Sequence, residues 1–261
     1  MTIHEPIIHV KHLHKAFGRL VVLDGVNLAI RPGQTTVIIG PSGCGKSVLL
    51  KSIVGLVRPD RGRVMFQGVN LTKLSERKLA RIRTKFGFLF QGAALFDSMT
   101  VGENVAFPLE EHEVGTSGER IRRVADVLGM VGLDGLQDRF PEELSGGQKK
   151  RVALARAIVL NPEVILYDEP TTGLDPIRSD LINELIRRLQ RTLNVTSIVV
   201  THDMASARRI ADRILMLHKG KFIADAAPDH LDTIQNDTVR RFIEGRADEE
   251  ELSELSRGTV Q

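Results

Sequence analysis

A glycine-rich segment that begins at residue 40 has the residue types and the spacing of a phosphate-binding loop. It is the run Gly40, Pro41, Ser42, Gly43, Cys44, Gly45, Lys46, Ser47, which follows an apolar run and precedes a helical pattern. Its glycines let main-chain N–H groups approach phosphate oxygens closely, and the helix start adds a positive dipole end. We expect Lys46 to reach the β- and γ-phosphates and Ser47 to coordinate Mg²⁺. The alternative, an ordinary glycine-rich turn, does not require this strand and helix context.

Two acidic residues, Asp168 and Glu169, end the apolar run 164–167. This position is the carboxyl edge of a sheet, where α/β proteins bind their ligands. Asp168 is therefore predicted to join the Mg²⁺ shell, and Glu169 to orient or deprotonate an attacking water. Taken alone, the pair is also compatible with a helix cap. Its combination with the phosphate loop favours phosphoryl transfer.

A second helix start also has the character of an anion site. The run 144–148 reads Leu-Ser-Gly-Gly-Gln and precedes a helical pattern that contains Val152, Ala155 and Arg156. Its glycines and hydroxyl offer N–H groups and a positive dipole end to an anion. One chain thus carries two phosphate-seeking helix starts.

With this LSGGQ motif the sequence resembles the ABC ATPase family, in the family's motif order and over nearly the whole chain. The resemblance implies an α/β P-loop NTPase core with a parallel sheet, an N-terminal antiparallel β-subdomain and an inserted α-helical subdomain. It implies ATP and Mg²⁺ as cofactors. It also implies that the signature of one subunit closes over the ATP of another, in a homodimer with two composite sites. The residues that would contact the partner's nucleotide are Ser145, Gly146, Gly147, Gln148 and Asp175.

The resemblance implies four further roles. Phe17 is similar to the aromatic that stacks on adenine, and Gln91 to the glutamine that senses Mg²⁺ and the attacking water. Asp175 resembles the loop that crosses the dimer interface, and His202 the histidine that contacts the γ-phosphate. Taken singly, Phe17 is as compatible with the core as with a stacking platform, and a single histidine after a strand is more often structural. Only the ordered set supports these roles.

The elements that position these residues are predicted from hydrophobic periodicity. Strands are expected at 26–30, 35–39, 64–66, 164–167, 196–200 and 214–217, and a helix at 48–53. Ile121, Val124, Ala125 and Leu128 have helical spacing, in a helix that Gly129 is expected to end. We divide the chain into an ATPase domain at 1–235, with the helical subdomain at 92–155 inserted, and a C-terminal helix and acidic tail at 236–261. The acidic residues of that tail are Asp248, Glu249, Glu250, Glu251 and Glu254.

Composition narrows the function further. One Tyr and no Trp leave few aromatic residues for stacking on bases, so we expect no nucleic-acid partner. No apolar run approaches the roughly 18 to 20 residues of a membrane span, so transport would need separate membrane subunits. The only cysteine, Cys44, lies beside Lys46 and a helix start, which predicts a reactive thiolate whose alkylation inhibits the ATPase and is blocked by ATP.

A finer resemblance is to the ATPase subunits of Mla/Mce-type lipid transporters. It rests on residues 88–96, 99–101 and 103–112, on Val48 after the phosphate loop, and on the terminal run 239–245; the acidic ending departs from that pattern. It implies integral membrane permease subunits, a lipid-binding substrate protein and a place on the cytoplasmic face of the inner membrane. The segment after Gln91, through Phe96, Met99 and residues 107–109, is expected to form a groove for a permease helix. The alternatives are an importer of polar solutes or amino acids, and a non-transport ABC ATPase that acts on DNA or ribosomes.

Overall fold

The computed structural model describes residues 5–247, whose strands form two sheets. In chain order the strands are β1 (Ile8–Phe17), β2 (Leu20–Ile30), β3 (Thr35–Ile39), β4 (Arg61–Phe66), β5 (Val69–Asn70), β6 (Phe86–Leu89), β7 (Val164–Asp168), β8 (Thr196–Thr201), β9 (Arg213–His218) and β10 (Lys221–Ala226). The first sheet is antiparallel and has the order β2-β1-β4-β5. The second has the order β10-β9-β3-β8-β7-β6 and is parallel except for its edge strand β10.

The helices surround the second sheet. They are α1 (Lys46–Ile53), α2 (Glu76–Arg83), α3 (Val101–Glu111), α4 (Ser117–Met130), α5 (Gly146–Ile158), α6 (Pro176–Leu193), α7 (Met204–Ile210) and α8 (Asp237–Glu244). Helices α3, α4 and α5 all lie between β6 and β7 in the chain, as the predicted helical insertion requires. The predicted fold is therefore confirmed. Among residues 5–247, no helix has both the length and the apolar character that a membrane span requires.

Some predicted boundaries differ from the structure. The prediction that Gly129 ends a helix is wrong, because α4 continues to Met130 and the positive φ of 66° falls at Gly132. Helix α5 runs through residue 155 and packs against both α3 and β6, so the limits of the helical subdomain stay a prediction. The same holds for the boundary at residue 235. The acidic residues from 248 onward lie outside the described part of the chain.

The core lies on both faces of the parallel sheet. Alternate residues of each central strand point to opposite faces: Val37 and Ile39 join the cluster formed with α3–α6, and Ile38 joins the cluster beneath the antiparallel sheet and α1. Every residue of β3, β7 and β8 is buried. Burial on both faces explains why these strands read as continuous apolar runs.

A buried asparagine fixes the turn that leads into α3. Asn104 is fully buried, and its amide group donates to the carbonyls of Phe96, Met99 and Thr100, each at 3.0 Å. Its Oδ1 accepts from the main-chain N–H of Phe96 at 2.8 Å. These four hydrogen bonds pair three main-chain carbonyls and one N–H of the turn with a single side chain, and so hold Phe96 in a defined position at the surface.

Candidate functional site

Four loops leave the parallel sheet at its carboxyl edge and carry the predicted site residues. The phosphate loop follows β3, Glu169 follows β7, His202 follows β8 and Gln91 follows β6. Because β3, β8, β7 and β6 are adjacent in the sheet, the four loops are neighbours. The sheet therefore gathers residues that lie up to 162 positions apart in the chain, from 40 to 202.

The phosphate loop has the conformation that its glycines allow. A Cβ on Gly40 would lie 2.2 Å from the carbonyl oxygen of Leu217, so no side chain fits there. Gly45 has φ of 106° and precedes α1 without any side-chain cap. The N–H groups of the first helical turn are consequently free of side-chain acceptors and available to an anion.

Lys46 and Ser47 sit at the floor of this loop. The Lys46 side chain is only 6% exposed, and its ammonium donates to the carbonyls of Gly40 at 2.7 Å and Pro41 at 3.0 Å. The Ser47 hydroxyl donates to Oδ1 of Asp168 at 2.6 Å. This hydrogen bond links the start of α1, directly after the phosphate loop, to the last residue of β7.

Glu169 lies at the centre of the site. Its Oε2 is 3.0 Å from Nδ1 of His202 and accepts from the Thr172 hydroxyl at 3.3 Å, while its Oε1 is 3.8 Å from Nζ of Lys46. The Glu169 backbone has φ of 51°, an uncommon value for a residue other than glycine. This conformation turns the carboxylate toward the phosphate loop, between a lysine and a histidine.

These residues line one cleft of about 410 Å³. Its walls include Phe17, Ser42, Gly43, Gly45, Lys46, Ser47, Gln91, Glu169 and His202, all of them predicted site residues, together with Val22 and Val48. The Phe17 ring is 51% exposed, and the ammonium of Lys15 lies 5.1 Å from its centroid. Phe17 is therefore an exposed ring at the mouth of the cleft rather than a core residue.

The residues predicted to serve a partner's nucleotide form a separate surface and do not line this cleft. Ser145 caps α5 in a capping box with Gln148, and Asp175 caps α6 by accepting from the N–H of Arg178 at 2.9 Å. A Cβ built on Gly146 would lie 3.8 Å from Leu174, so the two caps lie side by side. One chain thus presents a phosphate cleft and a distinct second helix start.

Sequence reasoning missed two residues that contact Glu169. The Thr172 hydroxyl bonds its carboxylate, and Nζ of Lys150 donates to its main-chain carbonyl at 3.3 Å. A signal for Lys150 was present, since it shares the buried face of α5 with Gly147 and Leu154 at spacings of three and four residues. A lysine on the apolar face of a helix requires a polar partner.

The predicted thiolate at Cys44 is wrong. Burial raises the pKa of the Cys44 thiol, and this outweighs the nearby positive charge of Lys46, which acts in the opposite direction. Whether ATP protects this cysteine and whether its alkylation inhibits the ATPase stay predictions.

Cys44 should therefore react slowly with alkylating reagents. The thiolate is the reactive form, and a raised pKa reduces its fraction at neutral pH. We expect iodoacetamide to label the folded chain at pH 7.5 more slowly than the urea-unfolded chain, with the folded rate rising as the pH is raised. Mass spectrometry of the single cysteine measures both rates. Faster labelling of the folded chain would contradict this assignment.

Comparisons with known proteins identify the family of this chain. The family model described as ABC transporter matches residues 23–172. The chain is 43% identical over 239 residues to the probable ribonucleotide transport ATP-binding protein mkl of Mycobacterium leprae, covering 92% of this chain and 69% of that protein. It is 42% identical over 243 residues to the intermembrane phospholipid transport system ATP-binding protein MlaF of Haemophilus influenzae, covering 93% and 92%.

A solved structure extends the likeness to a dimer. The dimeric ATP-binding cassette MJ0796 in a post-hydrolysis state, bound to ADP and Pi, superposes with a TM-score of 0.78 at 36% identity, covering 85% of this chain and 98% of that one. That structure is a dimer with nucleotide bound, and it shares the fold of this chain. The chain therefore belongs to the ABC transporter family, as a dimeric-cassette ATPase subunit in which ATP hydrolysis is coupled to transport.

Proposed function

We propose that Glu169 is the catalytic carboxylate of this ATPase, acting on the water that attacks the γ-phosphate. The observation that carries this role is the position of its carboxylate between Lys46 and His202, at the mouth of the phosphate loop. Lys46 neutralises charge on the β- and γ-phosphates, and His202 contacts the γ-phosphate. Gln91 lines the same cleft and orients the water. Phosphoryl transfer depends mainly on such positioning and charge stabilisation.

The same cleft fits a magnesium ion. The Ser47 hydroxyl and the Asp168 carboxylate are 2.6 Å apart, and oxygen atoms are the ligands that Mg²⁺ prefers. Among residues 5–247 no group of three or more His, Cys, Asp or Glu side chains is placed to hold a metal. A site with few protein ligands suits Mg²⁺, which takes substrate phosphates and waters for the rest of its shell. We assign Ser47, Asp168 and Gln91 to it, and the ion would neutralise charge on the phosphates.

The second helix start serves the other subunit of a homodimer. Ser145, Gly146, Gly147 and Gln148 would contact the partner's ATP, with Asp175 at the same interface. Their separation from the chain's own cleft supports this division, because one chain then contributes half of each of two composite sites. Phe17 would support the adenine ring on its own side.

Two variants separate nucleotide binding from hydrolysis. Lys46→Ala should lose ATP binding because it removes the charge at the floor of the loop. Glu169→Gln should still bind ATP but remain a closed dimer, because it spares the loop and removes the catalytic charge. Nucleotide-binding and size-exclusion measurements test both.

Matched controls exist on the same elements. Lys51 lies on α1 away from the cleft, and Glu163 precedes the first residue of β7, where its carboxylate pairs with Lys85. The control variants are Lys51→Ala and Glu163→Gln. Both should hydrolyse ATP normally. Hydrolysis by Glu169→Gln at the wild-type rate would refute the catalytic assignment.

The transported substrate is proposed to be phospholipid or another lipid, moved across or between bacterial membranes. The relative named for phospholipid transport is matched over 92% of its own length, against 69% for the relative named for ribonucleotide transport. The Mla/Mce-type motifs at 88–96 and 103–112 support the same reading. An importer of polar solutes or amino acids remains the second candidate, on the strength of the differing substrate names among relatives. The class that acts on DNA or ribosomes lacks a supporting observation.

Lipid transport requires partners that this chain does not supply. We assign it integral membrane permease subunits and a lipid-binding substrate protein, and place it at the cytoplasmic face of the inner membrane. An aromatic groove of about 350 Å³ offers a docking place for a permease helix. Its lining includes Phe88, Phe90, Phe96, Phe107, Pro108 and Arg156.

The groove is built from paired aromatic rings. Phe96 and Phe107 have centroids 4.8 Å apart, and the guanidinium of Arg156 lies 5.8 Å from the Phe96 ring. Phe96 remains 41% exposed, so its ring is available to an apolar helix face. Two expected members differ: Leu109 is buried in the core, and Met99 does not line the groove.

A charge in this groove should prevent permease docking. Phe96→Asp is expected to abolish co-purification of the permease and its lipid in mild detergent, while the isolated subunit still binds ATP. The control is Val69→Asp, which changes a side chain of similar exposure, 43%, on β5. Recovery of an amino-acid importer's permease with the wild-type subunit would refute the lipid assignment. Normal co-purification with Phe96→Asp would refute the groove.

A further inference from the structure

Lys150 is a buried cation that the proposed chemistry leaves unused. It lies on α5, one helical turn after Gly146, and is 7% exposed. Its ammonium donates to the main-chain carbonyl of Glu169 at 3.3 Å. Burial lowers the pKa of Lys150, and the negative charge of Glu169 acts in the opposite direction.

Packing alone does not account for this lysine. A buried ammonium loses its hydration, and an apolar side chain of similar length would fill the same space without that penalty. The hydrogen bond described for Lys150 goes to a main-chain carbonyl rather than to a carboxylate, and the charge of Glu169 offsets only part of the effect of burial. Its position is best explained by what it does to its acceptor.

That acceptor belongs to a backbone in an unfavourable conformation. Glu169 has φ of 51°, and its N–H donates to the carbonyl of Val200 at 3.0 Å. Its carbonyl accepts from the N–H of Thr172 at 3.3 Å as well as from Lys150. Such a conformation persists only when the surroundings hold it in place. If these contacts were lost and φ relaxed to a common negative value, the carboxylate would move away from His202.

We infer that Lys150 is a positioning residue that holds Glu169 in its active conformation and links it to α5. The first turn of α5 carries Ser145 to Gln148, which serve the partner's ATP in the proposed dimer. Contact with the nucleotide of one composite site is thereby transmitted to the carboxylate of the other. The inference rests on the catalytic role proposed for Glu169.

The test compares Lys150→Met, which keeps an unbranched side chain one atom shorter and removes the donor, with Lys150→Gln, which has the same reach as methionine and keeps an N–H donor. For Lys150→Met we expect kcat to fall about 10- to 100-fold with KM for ATP unchanged, since a small misplacement of a catalytic group has an effect of this order. Lys150→Gln should regain part of the loss. Lys149→Met, on the same helix, is the matched control and should keep the wild-type kcat.

A second measurement distinguishes misplacement of Glu169 from damage to the first turn of α5, residues 145–148, which contacts the partner's ATP. In the Glu169→Gln background, Lys150→Met should still form the ATP-dependent dimer at the same ATP concentration. Loss of that dimer, a raised KM with normal kcat, or a wild-type kcat for Lys150→Met would overturn the inference. If Lys150→Met does not fold, Lys150→Ala, which also removes the donor, decides: a reduced kcat at unchanged KM supports the inference, and a wild-type kcat overturns it.

The two proposals fail in different ways. Hydrolysis at the wild-type rate by the single variant Glu169→Gln would remove the catalytic role and the Lys150 inference together. A wild-type kcat for Lys150→Met, with Glu169→Gln inactive, would remove only the Lys150 inference.

Discussion

The parallel register of four adjacent strands is the constraint on which the rest of the site depends. β6, β7, β8 and β3 run in one direction, so the loops after them meet at one edge. The loops then place polar groups at the ends of strands whose side chains, in β3, β7 and β8, are all buried. This arrangement brings the Glu169 carboxylate within 4 Å of both the Lys46 ammonium and the His202 ring, although the three residues are distant in the chain.

The charges at that edge compensate one another. Lys46, Asp168 and Glu169 are each less than a tenth exposed, a costly condition for any one of them alone. The ammonium of Lys46 faces carbonyl oxygens and the Glu169 carboxylate, while the Ser47 hydroxyl satisfies Asp168. A triphosphate entering the cleft would bring negative charge to a loop whose N–H groups and lysine already suit it. The site is thus organised before its substrate arrives.

Much of this architecture is predictable from the sequence, because its signals are local. The apolar runs at 35–39, 164–167 and 196–200 are buried strands, and the phosphate loop has a motif that its flanking elements support. The features that escaped prediction depend on tertiary packing. The positive φ of Glu169, the raised pKa of Cys44 and the hydrogen bond of Lys150 all arise from neighbours brought together only by the fold. The predicted helix end at Gly129 is wrong because α4 continues past that glycine to Met130 and the chain turns at Gly132.

The central proposal is that one chain contributes half of each of two composite ATP sites, so that hydrolysis requires two chains. The most direct measurement is the ATPase rate of the isolated wild-type subunit as a function of its concentration. A composite site predicts that activity per chain rises with protein concentration when the protein is dilute and levels off once the dimer is complete. Activity per chain that stays constant down to concentrations at which the protein is monomeric would contradict the account.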